Sequence, residues 1–587
     1  MILKISTVLF LASLSLAQNP LLYCNLAIID ERCTCNFVIY NPAGFNNLTM
    51  AANPVTNCTL DDVVDATGSG LTKNIPSVLC DEFSKLENLR LNRLAIENIN
   101  GNPFKHCINL KRLYLSGNAL TAIPAYTFSN TILEILELDS NKLSSINSLT
   151  FDSLSQLEML NLTNNPTPVT AADVFDSLEN LKFLHLSHCN INILDPIWFS
   201  KLFNLVGLNL STNNIDVVFN STFNNLLKLE WLDLSGNKVE TYPSNMVHNN
   251  TNLLKLNLNG NSFRIFDSNF FVSQSKLTEL ILSNNPTINI TAELLEPLTS
   301  LQVIGLSSCG LSKVESSWFE SMKDLIALDL SGNKINVIPE KTFSAANDIE
   351  SINLAYNSIE TLNSRSFGSL TKLRSLTLNN NTIKEIDHHF VSQPTDLMTV
   401  NFEYNSCSSY KTDNFNFNRT SYMGAMRSCF DNFDIKPIDI KTTNSSIYNW
   451  YSIRSSDGWD ALKIFVKADE NVHIALTDSL NKETPRIEIQ IGQNRNRFSF
   501  IFEDGQEEFE EYKRYRLNST IGSTFVIGWR FDVIMVFKEG DQFPFMAHTK
   551  KKGTPAFNFF GIRTPFEDDP DSIASWIVSR IQPIANV

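Results

Sequence analysis

A run of leucines that repeats every 24 residues constrains the fold of this chain more than any other feature. Each unit reads Leu-x-x-Leu-x-Leu-x-x-Asn, as at Leu110, Leu113, Leu115 and Asn118. Between residues 86 and 405 we count fourteen units, with one step of 23 residues. Their last positions are Leu94, Asn118, Asn141, Asn165, Cys189, Asn213, Asn237, Asn261, Asn285, Cys309, Asn333, Asn357, Asn381 and Asn405. This period indicates a repeat protein in which each unit packs on its neighbours.

A second column follows the same period. It runs through Phe104, Phe128, Phe151, Phe175, Phe199, Phe223, Val247, Phe271, Leu295, Phe319, Phe343, Phe367 and Phe390. The combined pattern resembles the leucine-rich repeat. The alternating leucines predict one short strand per unit, so we expect an α/β solenoid with a parallel concave sheet and an irregular or helical convex side. We interpret the asparagine column as a structural ladder that hydrogen-bonds to buried backbone groups.

The amino terminus has the features of an export signal. Lys4 precedes an apolar run over residues 5–16, and Ser15-Leu16-Ala17 suits cleavage after Ala17. That run is too short to span a bilayer, and no later stretch approaches the necessary length. The sequence therefore predicts a secreted, extracellular protein. Its predicted parts are a signal peptide (1–17), a cysteine-rich amino-terminal cap (18–85), the repeats (86–405), a carboxy-terminal cap and linker (406–444), a β-domain (445–570) and a tail (571–587).

Cysteine positions support an extracellular location. Eight of the ten cysteines flank or open the array and are candidates for disulfides: Cys24, Cys33, Cys35, Cys58, Cys80, Cys107, Cys407 and Cys429. Cys33-x-Cys35 resembles the amino-terminal cap of extracellular leucine-rich repeat proteins, and the resemblance implies a pair between Cys407 and Cys429. The connectivity of the first six stays open. Cys189 and Cys309 occupy the asparagine column and are expected to be buried thiols, and no metal site is expected.

Candidate glycosylation sites are frequent. The sequence Asn-x-Ser/Thr occurs at Asn47, Asn57, Asn161, Asn209, Asn220, Asn249, Asn289, Asn380, Asn418, Asn444 and Asn518. Asn161 and Asn209 lie between two strand leucines, so their side chains are expected on the concave face. Glycans at these two sites would cover part of the surface that such solenoids most often use for binding.

The residues that flank the strand leucines define the candidate binding surface. We select from them Tyr114, Asp139, Phe183, His185, Trp231 and Asp233. Phe183 and Trp231 fall in one column two units apart, with Gly207 between them, and a solenoid has no packing need for aromatic side chains there. The alternative is that one ring packs on a neighbouring strand or on a glycan. His185 is interpreted as an ordinary surface histidine.

Beyond residue 445 the sequence changes to short alternating segments, which predict an antiparallel β-sandwich. The segments are 461–468, 472–477, 486–492, 497–502, 523–537, 543–548 and 557–564. Six short stretches of this region match the pattern of a known domain family: LKIFVKA (462–468), HIAL (473–476), EIQIG (488–492), Gly528-Trp529, Pro544-Phe545 and FGI (560–562). In these the region resembles the farnesoic acid O-methyltransferase-like domain, an extracellular β-domain. It departs from that family at residues 493–497, where the family tends to have a turn rich in Gly, Trp and Asn.

The family name does not supply a mechanism. A methyltransferase that uses S-adenosylmethionine normally needs a glycine-rich turn between a parallel strand and a helix, and the sequence offers none. We therefore predict no catalytic residues, no cofactor and no enzyme. A net charge of −15 disfavours nucleic acid and anionic membranes.

Two functions are favoured, and a methyltransferase is kept as a third alternative only because of the family name. The first is recognition of an extracellular protein by the repeats, in innate defence, adhesion or signalling, with the β-domain as a second recognition module. The alternative is binding of carbohydrate or matrix by the β-domain within an extracellular coat. A homodimer is compatible with either function.

Overall fold

The computed structural model describes residues 21–412 apart from 31, 42–48, 53–57, 167–168, 170, 265, 287, 368–369 and 387–395. Beyond these it describes Cys429 and the strands after residue 437 given below. The chain divides into two units. The first comprises residues up to 358 with 365–380 and 394–401, and the second comprises 359–364, 381–393 and 402–587. The predicted signal peptide at residues 1–17 lies outside the described residues.

The described residues before 413 form the strands of the amino-terminal cap, one short strand per repeat from residue 88 onward, and three strands of two residues. They are β1 (Leu21–Ile29), β2 (Arg32–Asn41), β3 (Thr49–Ala52), β4 (Asp65–Thr72), β5 (Asn88–Arg90), β6 (Arg112–Tyr114), β7 (Ile135–Glu137), β8 (Met159–Asn161), β9 (Phe183–His185), β10 (Gly207–Asn209), β11 (Trp231–Asp233), β12 (Lys255–Asn257), β13 (Glu279–Ile281), β14 (Val303–Gly305), β15 (Ala327–Asp329), β16 (Ser351–Asn353), β17 (Thr361–Leu362), β18 (Ser375–Thr377), β19 (Glu385–Ile386), β20 (Thr399–Asn401) and β21 (Lys411–Thr412). Most repeat strands are three residues long, because only the Leu-x-Leu segment of each unit is extended.

The repeat strands pair in parallel and in register, which confirms the predicted solenoid. Strands β5 to β16 pair in chain order, followed by β18 and β20, and Leu208 for example stands opposite Leu232. The middle residue of each strand is buried while its neighbours face the concave surface, as alternation of side chains requires. At the amino end, β1 and β2 form an antiparallel hairpin, and β2 pairs in parallel with β4, which pairs with β5. The cap thus continues the sheet.

The phenylalanine column closes the core on the convex side. Rings of consecutive units pack on one another, with centroids 5.8 Å apart for Phe104 and Phe128 and 5.3 Å apart for Phe343 and Phe367. The described phenylalanines of this column are 5% exposed or less. Phe390 lies outside the described residues. Among the described residues, five pairs of rings from consecutive units have centroids within 6.5 Å, so the column joins those units.

The asparagine column forms the predicted ladder. The Oδ1 atom of Asn213 accepts hydrogen bonds from the backbone N–H groups of Cys189 (2.9 Å) and Ile191 (3.1 Å). Its Nδ2 atom donates to the carbonyls of Leu186 and Leu210, both at 2.9 Å. At Cys189 the thiol replaces the amide and donates to the carbonyl of Leu162 at 3.2 Å. Each side chain therefore joins two consecutive units.

Helical segments are short and lie on the turns between strands. The α-helices are α1 (Leu79–Glu82), α2 (Ala292–Leu295) and α3 (Ser364–Phe367), and the 3-10 segments are Leu60–Asp62, Ser148–Thr150, Pro196–Phe199 and Ser316–Phe319. The convex side of the described array is thus mainly irregular. Among the described residues, no helix has the length and apolar character needed to cross a membrane.

All eight flanking cysteines form disulfides. The pairs are Cys24–Cys35, Cys33–Cys58, Cys80–Cys107 and Cys407–Cys429. The last pair is the one implied by the cap resemblance, and the first three give the connectivity that the sequence left open. Cys189 and Cys309 are buried free thiols, as predicted.

The carboxy-terminal region consists of strands. They are β22 (Ile438–Thr443), β23 (Asn449–Ser452), β24 (Asp460–Lys467), β25 (Val472–Thr477), β26 (Ile487–Gly492), β27 (Phe498–Glu503), β28 (Gln506–Glu508), β29 (Ser523–Arg530), β30 (Val533–Lys538), β31 (Met546–Thr549), β32 (Phe559–Arg563) and β33 (Ile573–Ile581). They form two antiparallel six-stranded sheets, in the orders β22-β33-β24-β29-β30-β31 and β23-β32-β25-β26-β27-β28.

The predicted strands in this region correspond to eight of these twelve. The segment predicted at 523–537 is divided into β29 and β30, which pair with each other. Strands β22, β23, β28 and β33 were not predicted. Residues 571–587, expected to be a tail, contain β33, which pairs with both β22 and β24.

Candidate functional site

The concave face carries two aromatic rings, one on each side of a glycine. Phe183, Gly207 and Trp231 are opposite one another on β9, β10 and β11. A Cβ atom placed on Gly207 would lie 2.9 Å from Phe183 Cδ1 and 2.9 Å from Trp231 Cε3. The rings therefore occupy the space that any other residue at 207 would need. We call this group of Phe183, Gly207 and Trp231 the aromatic patch.

The patch is accessible to a partner. Phe183 is 41% exposed and Trp231 is half-buried. The strand on each side of these three contributes Met159 and Lys255 to the same row, and Lys255 pairs with Glu279 at 2.8 Å. An apolar surface thus adjoins an ion pair on the concave sheet, an arrangement typical of binding surfaces.

His185 contacts the patch. Its ring centroid is 5.9 Å from that of Trp231, with the planes tilted by 50°. Burial lowers the pKa of His185, so the neutral form is favoured near neutral pH. Its ring is half-buried against an aromatic neighbour on the concave surface.

The other candidate residues lie outside this contact. Asp139 accepts a hydrogen bond from Ser116 Oγ at 2.6 Å and one from Asn161 Nδ2 at 3.3 Å. Burial, and then the nearby charge of Asp139, raise the pKa of Glu137. Asp233, two residues after Trp231, accepts from the backbone of Ser235 at 2.8 Å. The structure therefore places Phe183, His185 and Trp231 near one another, whereas Asp139 and Asp233 lie in local hydrogen-bond networks.

Tyr114 belongs to a second site, at the amino end of the sheet, that the sequence analysis missed. A groove of about 470 Å³ there is lined by residues of β1, β2 and β4–β6, including Arg32, Asp65, Asn88, Arg90, Arg112 and Tyr114. The Arg90 guanidinium lies 4.9 Å from the centre of the Tyr114 ring. The sequence shows the positions of Arg90 and Arg112 within their repeats. It does not show that the β1–β2 hairpin contributes residues to this groove. We call this the amino-terminal groove.

The candidate glycosylation sites are placed unequally. Asn220, Asn249 and Asn289 are exposed, and Asn161, Asn209 and Asn380 are half-buried. The Oδ1 atom of Asn209 accepts from Ser211 Oγ at 2.7 Å, and within the described residues its Nδ2 makes no hydrogen bond. Asn161 Nδ2, in contrast, donates to Asp139. Asn47, Asn57, Asn418, Asn444 and Asn518 lie outside the described residues.

Comparisons with known families match both parts of the chain. A family model for the leucine rich repeat matches residues 131–191, 179–239, 299–357 and 332–383. A family model described as farnesoic acid O-methyl transferase matches residues 444–578. A comparison with curated proteins gives no match.

Solved structures share the fold of the array. A leucine-rich repeat protein of Leptospira interrogans is 23% identical with a TM-score of 0.55, covering 66% of this chain and 93% of that one. The Toll chain of the Drosophila Toll–Spatzle complex is 18% identical with a TM-score of 0.50, covering 62% of this chain and 54% of the matched chain. At these identities the likeness concerns the fold alone.

Proposed function

Because the chain carries leucine-rich repeats and a domain of the farnesoic acid O-methyl transferase family, we propose that it is an extracellular recognition protein whose concave sheet binds a partner protein. The observation that supports this most is the aromatic patch. An atom of each ring lies 2.9 Å from the position that a Cβ atom on residue 207 would occupy, so glycine is the residue that fits between them. Aromatic side chains in such positions contribute most of the binding energy in many interfaces.

A preformed patch reduces the cost of binding. The strands beneath the rings are fixed by the ladder and the core, so few degrees of freedom are lost when a partner docks. The solved complex of Toll with Spatzle supports a protein as the partner of such an array. The net charge of −15 also favours a polypeptide over nucleic acid.

The test is capture of extracellular partners by the full-length protein. The double variant Phe183→Ala, Trp231→Ala is compared with the matched double variant Phe203→Ala, Leu227→Ala, whose side chains are 51% and 55% exposed but lie off the strands. Loss of about 2 kcal/mol, or roughly 30-fold in affinity, is expected for the first variant and none for the second. Equal capture by both variants would refute the concave site.

Glycosylation would limit the partner's access. A glycan on Asn209 would project beside the patch, because Asn209 and Gly207 point to the same face of β10. Its free amide and the hydrogen bond from Ser211 favour modification there over Asn161, whose amide is engaged. Glycopeptide mass spectrometry of the secreted protein measures occupancy at both positions, and equal occupancy would contradict this order.

We propose that the two carboxy-terminal sheets pack face to face as a second recognition module. Ile474 in one sheet and Ile527 and Val536 in the other are fully buried, which supports a shared core. The described strands of this region are antiparallel and show no parallel strand followed by a helix, so they do not fit the turn that usually holds S-adenosylmethionine. A methyl-transfer assay with farnesoic acid tests the activity that the family description names. Turnover would overturn the assignment as a binding module.

The same region offers the alternative function. Glycan-array binding by the full-length protein, retained when the aromatic patch is replaced, would favour recognition of carbohydrate or matrix by the carboxy-terminal region. Binding of protein partners only, lost with the patch, would favour the repeats.

A further inference from the structure

The amino-terminal groove presents two ordered rows of polar side chains. Parallel pairing places Thr34, Asp65, Asn88 and Arg112 side by side across β2, β4, β5 and β6. The next row on the same face is Asn36, Thr67, Arg90 and Tyr114. Four strands from two different parts of the chain, the cap hairpin and the first repeats, therefore build one surface.

Charges in the first row are already compensated within the protein. Arg112 donates to Asn88 Oδ1 at 3.1 Å and lies 3.8 Å from Glu134. Asn88 in turn donates to Asp65. Arg32, at the edge of the groove, pairs with Glu87 at 2.7 Å and lies 3.7 Å from Asp65. This row is a closed network with no free cation.

The second row leaves its donors free. Arg90 is exposed, and its guanidinium lies over the Tyr114 ring without a hydrogen bond or a close ion pair among the described residues. Glu137 is the carboxylate that interacts with it electrostatically, without a hydrogen bond to it. The Tyr114 hydroxyl likewise has no hydrogen-bond partner in the described part of the chain. Stacking holds the guanidinium plane while its N–H edges stay available, which is the geometry that binds a carboxylate with two parallel hydrogen bonds.

From this arrangement we propose that the amino-terminal groove binds a peptide segment that carries a carboxylate, with Arg90 and Tyr114 contacting that group. A polypeptide fits better than a polyanion, because Arg90 is the one cation of the described groove without a close ion pair or hydrogen bond to a carboxylate or amide, and because Asp30 and Asp65 line the same groove. Asn36 and Thr67, in the same row, are suited to hydrogen bonds with a peptide backbone. The carboxylate comes from an aspartate or glutamate side chain or from a chain terminus.

This site goes beyond the proposed function and does not depend on it. Three strand steps separate β6 from β9, a distance of about 14 Å at the usual spacing. The groove is therefore a separate surface from the aromatic patch, and either site can exist without the other.

The test is a selection with a displayed library of random dodecapeptides on the full-length protein. We expect enrichment of peptides that contain aspartate or glutamate and that bind Arg90→Gln at least tenfold more weakly. The matched control is Arg374→Gln, which removes an exposed arginine paired with Glu350 at 3.1 Å, far along the array. Binding to this control and to the Phe183→Ala, Trp231→Ala variant should be unchanged.

Further measurements identify the group that binds. Synthetic copies of the selected peptides, with glutamate replaced by glutamine or with an amidated terminus, show which carboxylate is used. Arg90→Lys should not restore the affinity, since an ammonium lacks the planar pair of donors. Tyr114→Phe should weaken binding less than Arg90→Gln, because it removes one neutral donor.

Three results would overturn the proposal. The first is a selection without acidic enrichment, and the second is equal affinity of the selected peptides for wild type and Arg90→Gln. The third is tighter binding of a heparin hexasaccharide than of any peptide, with displacement of the peptide, because it would assign the groove to a polyanion. Coincident thermal unfolding of wild type and Arg90→Gln establishes that a loss of binding is not a loss of fold.

Discussion

Replacement of Asn213 by alanine should destabilise the array locally by about 3 kcal/mol. The side chain satisfies two N–H groups and two carbonyls from consecutive units, all four at 2.9–3.1 Å. The Leu210 carbonyl keeps a second hydrogen bond, from Asn237 Nδ2 at 3.0 Å, so three groups would lose their partner. Each buried group left without a partner costs about 1–3 kcal/mol, and three groups at the lower end of about 1 kcal/mol give the estimate.

A cysteine at the same position should cost less than alanine. The structure shows how a thiol serves in this column, since Cys189 donates to the carbonyl of Leu162 at 3.2 Å. Asn213→Cys would thus keep one donor and lose the acceptor for two N–H groups. We expect its cost to fall between those of wild type and Asn213→Ala.

Hydrogen exchange measured by mass spectrometry is the suitable assay, because repeat arrays open locally as well as globally. Faster exchange is expected at the amides of Cys189 and Ile191, accompanied by a lower urea midpoint. The control is Asn225→Ala, which removes an exposed amide that donates to the Ser200 carbonyl at 3.0 Å. If Asn213→Ala cost no more than Asn225→Ala, the ladder would not be the element that joins the units.

Three further outcomes follow from buried groups. Gly207→Ala should displace the ring of Trp231, since the new Cβ would meet it at 2.9 Å, and intrinsic fluorescence should change; an unaltered spectrum would contradict the described packing. Burial raises the pKa of Cys189 and Cys309 to about 11, so both thiols should resist iodoacetamide at pH 8 until the protein unfolds. Because the unfolded thiols ionise first, their contribution to stability is complete below about pH 9 and is lost as the pH rises towards 11; a midpoint that rose over this range would refute the sign. Tyr242→Phe should keep or raise the unfolding midpoint, because the buried Tyr242 hydroxyl has no hydrogen-bond partner among the described residues. A decrease in the free energy of unfolding of more than about 1 kcal/mol would show that this hydroxyl is hydrogen-bonded.

Much of the array was predictable because each unit must bury the same types of side chain at the same positions. The strand leucines, the phenylalanine column and the asparagine ladder follow from period and residue type, and the structure places them as expected. The aromatic patch was also located by counting, since Phe183, Gly207 and Trp231 share one column. The close approach of both rings to the glycine was not predicted, because it depends on the side-chain conformations of Phe183 and Trp231.

The remaining features depend on contacts between segments that lack the repeat. The amino-terminal groove needs the β1–β2 hairpin, whose register with β4 has no periodic signal. The connectivity of the first six cysteines depends on the same hairpin. Strand β33 was missed because residues 573–581 do not alternate strictly between apolar and polar side chains, although they pair with both β22 and β24.

The direction of the backbone hydrogen bonds between units determines how the array responds to force. Bonds such as Leu210 N–H to the Asp233 carbonyl (2.8 Å) and Leu234 N–H to the Asn257 carbonyl (2.9 Å) run along the stack, from each unit to the next. Tension applied between the two ends therefore acts parallel to these bonds. The bonds break one interface at a time, and the strands do not shear together as a whole sheet. The Cys33–Cys58 and Cys80–Cys107 disulfides hold the amino end closed under such a load. The array should thus lengthen in small successive steps, each the release of one unit, and each step should need only a low force.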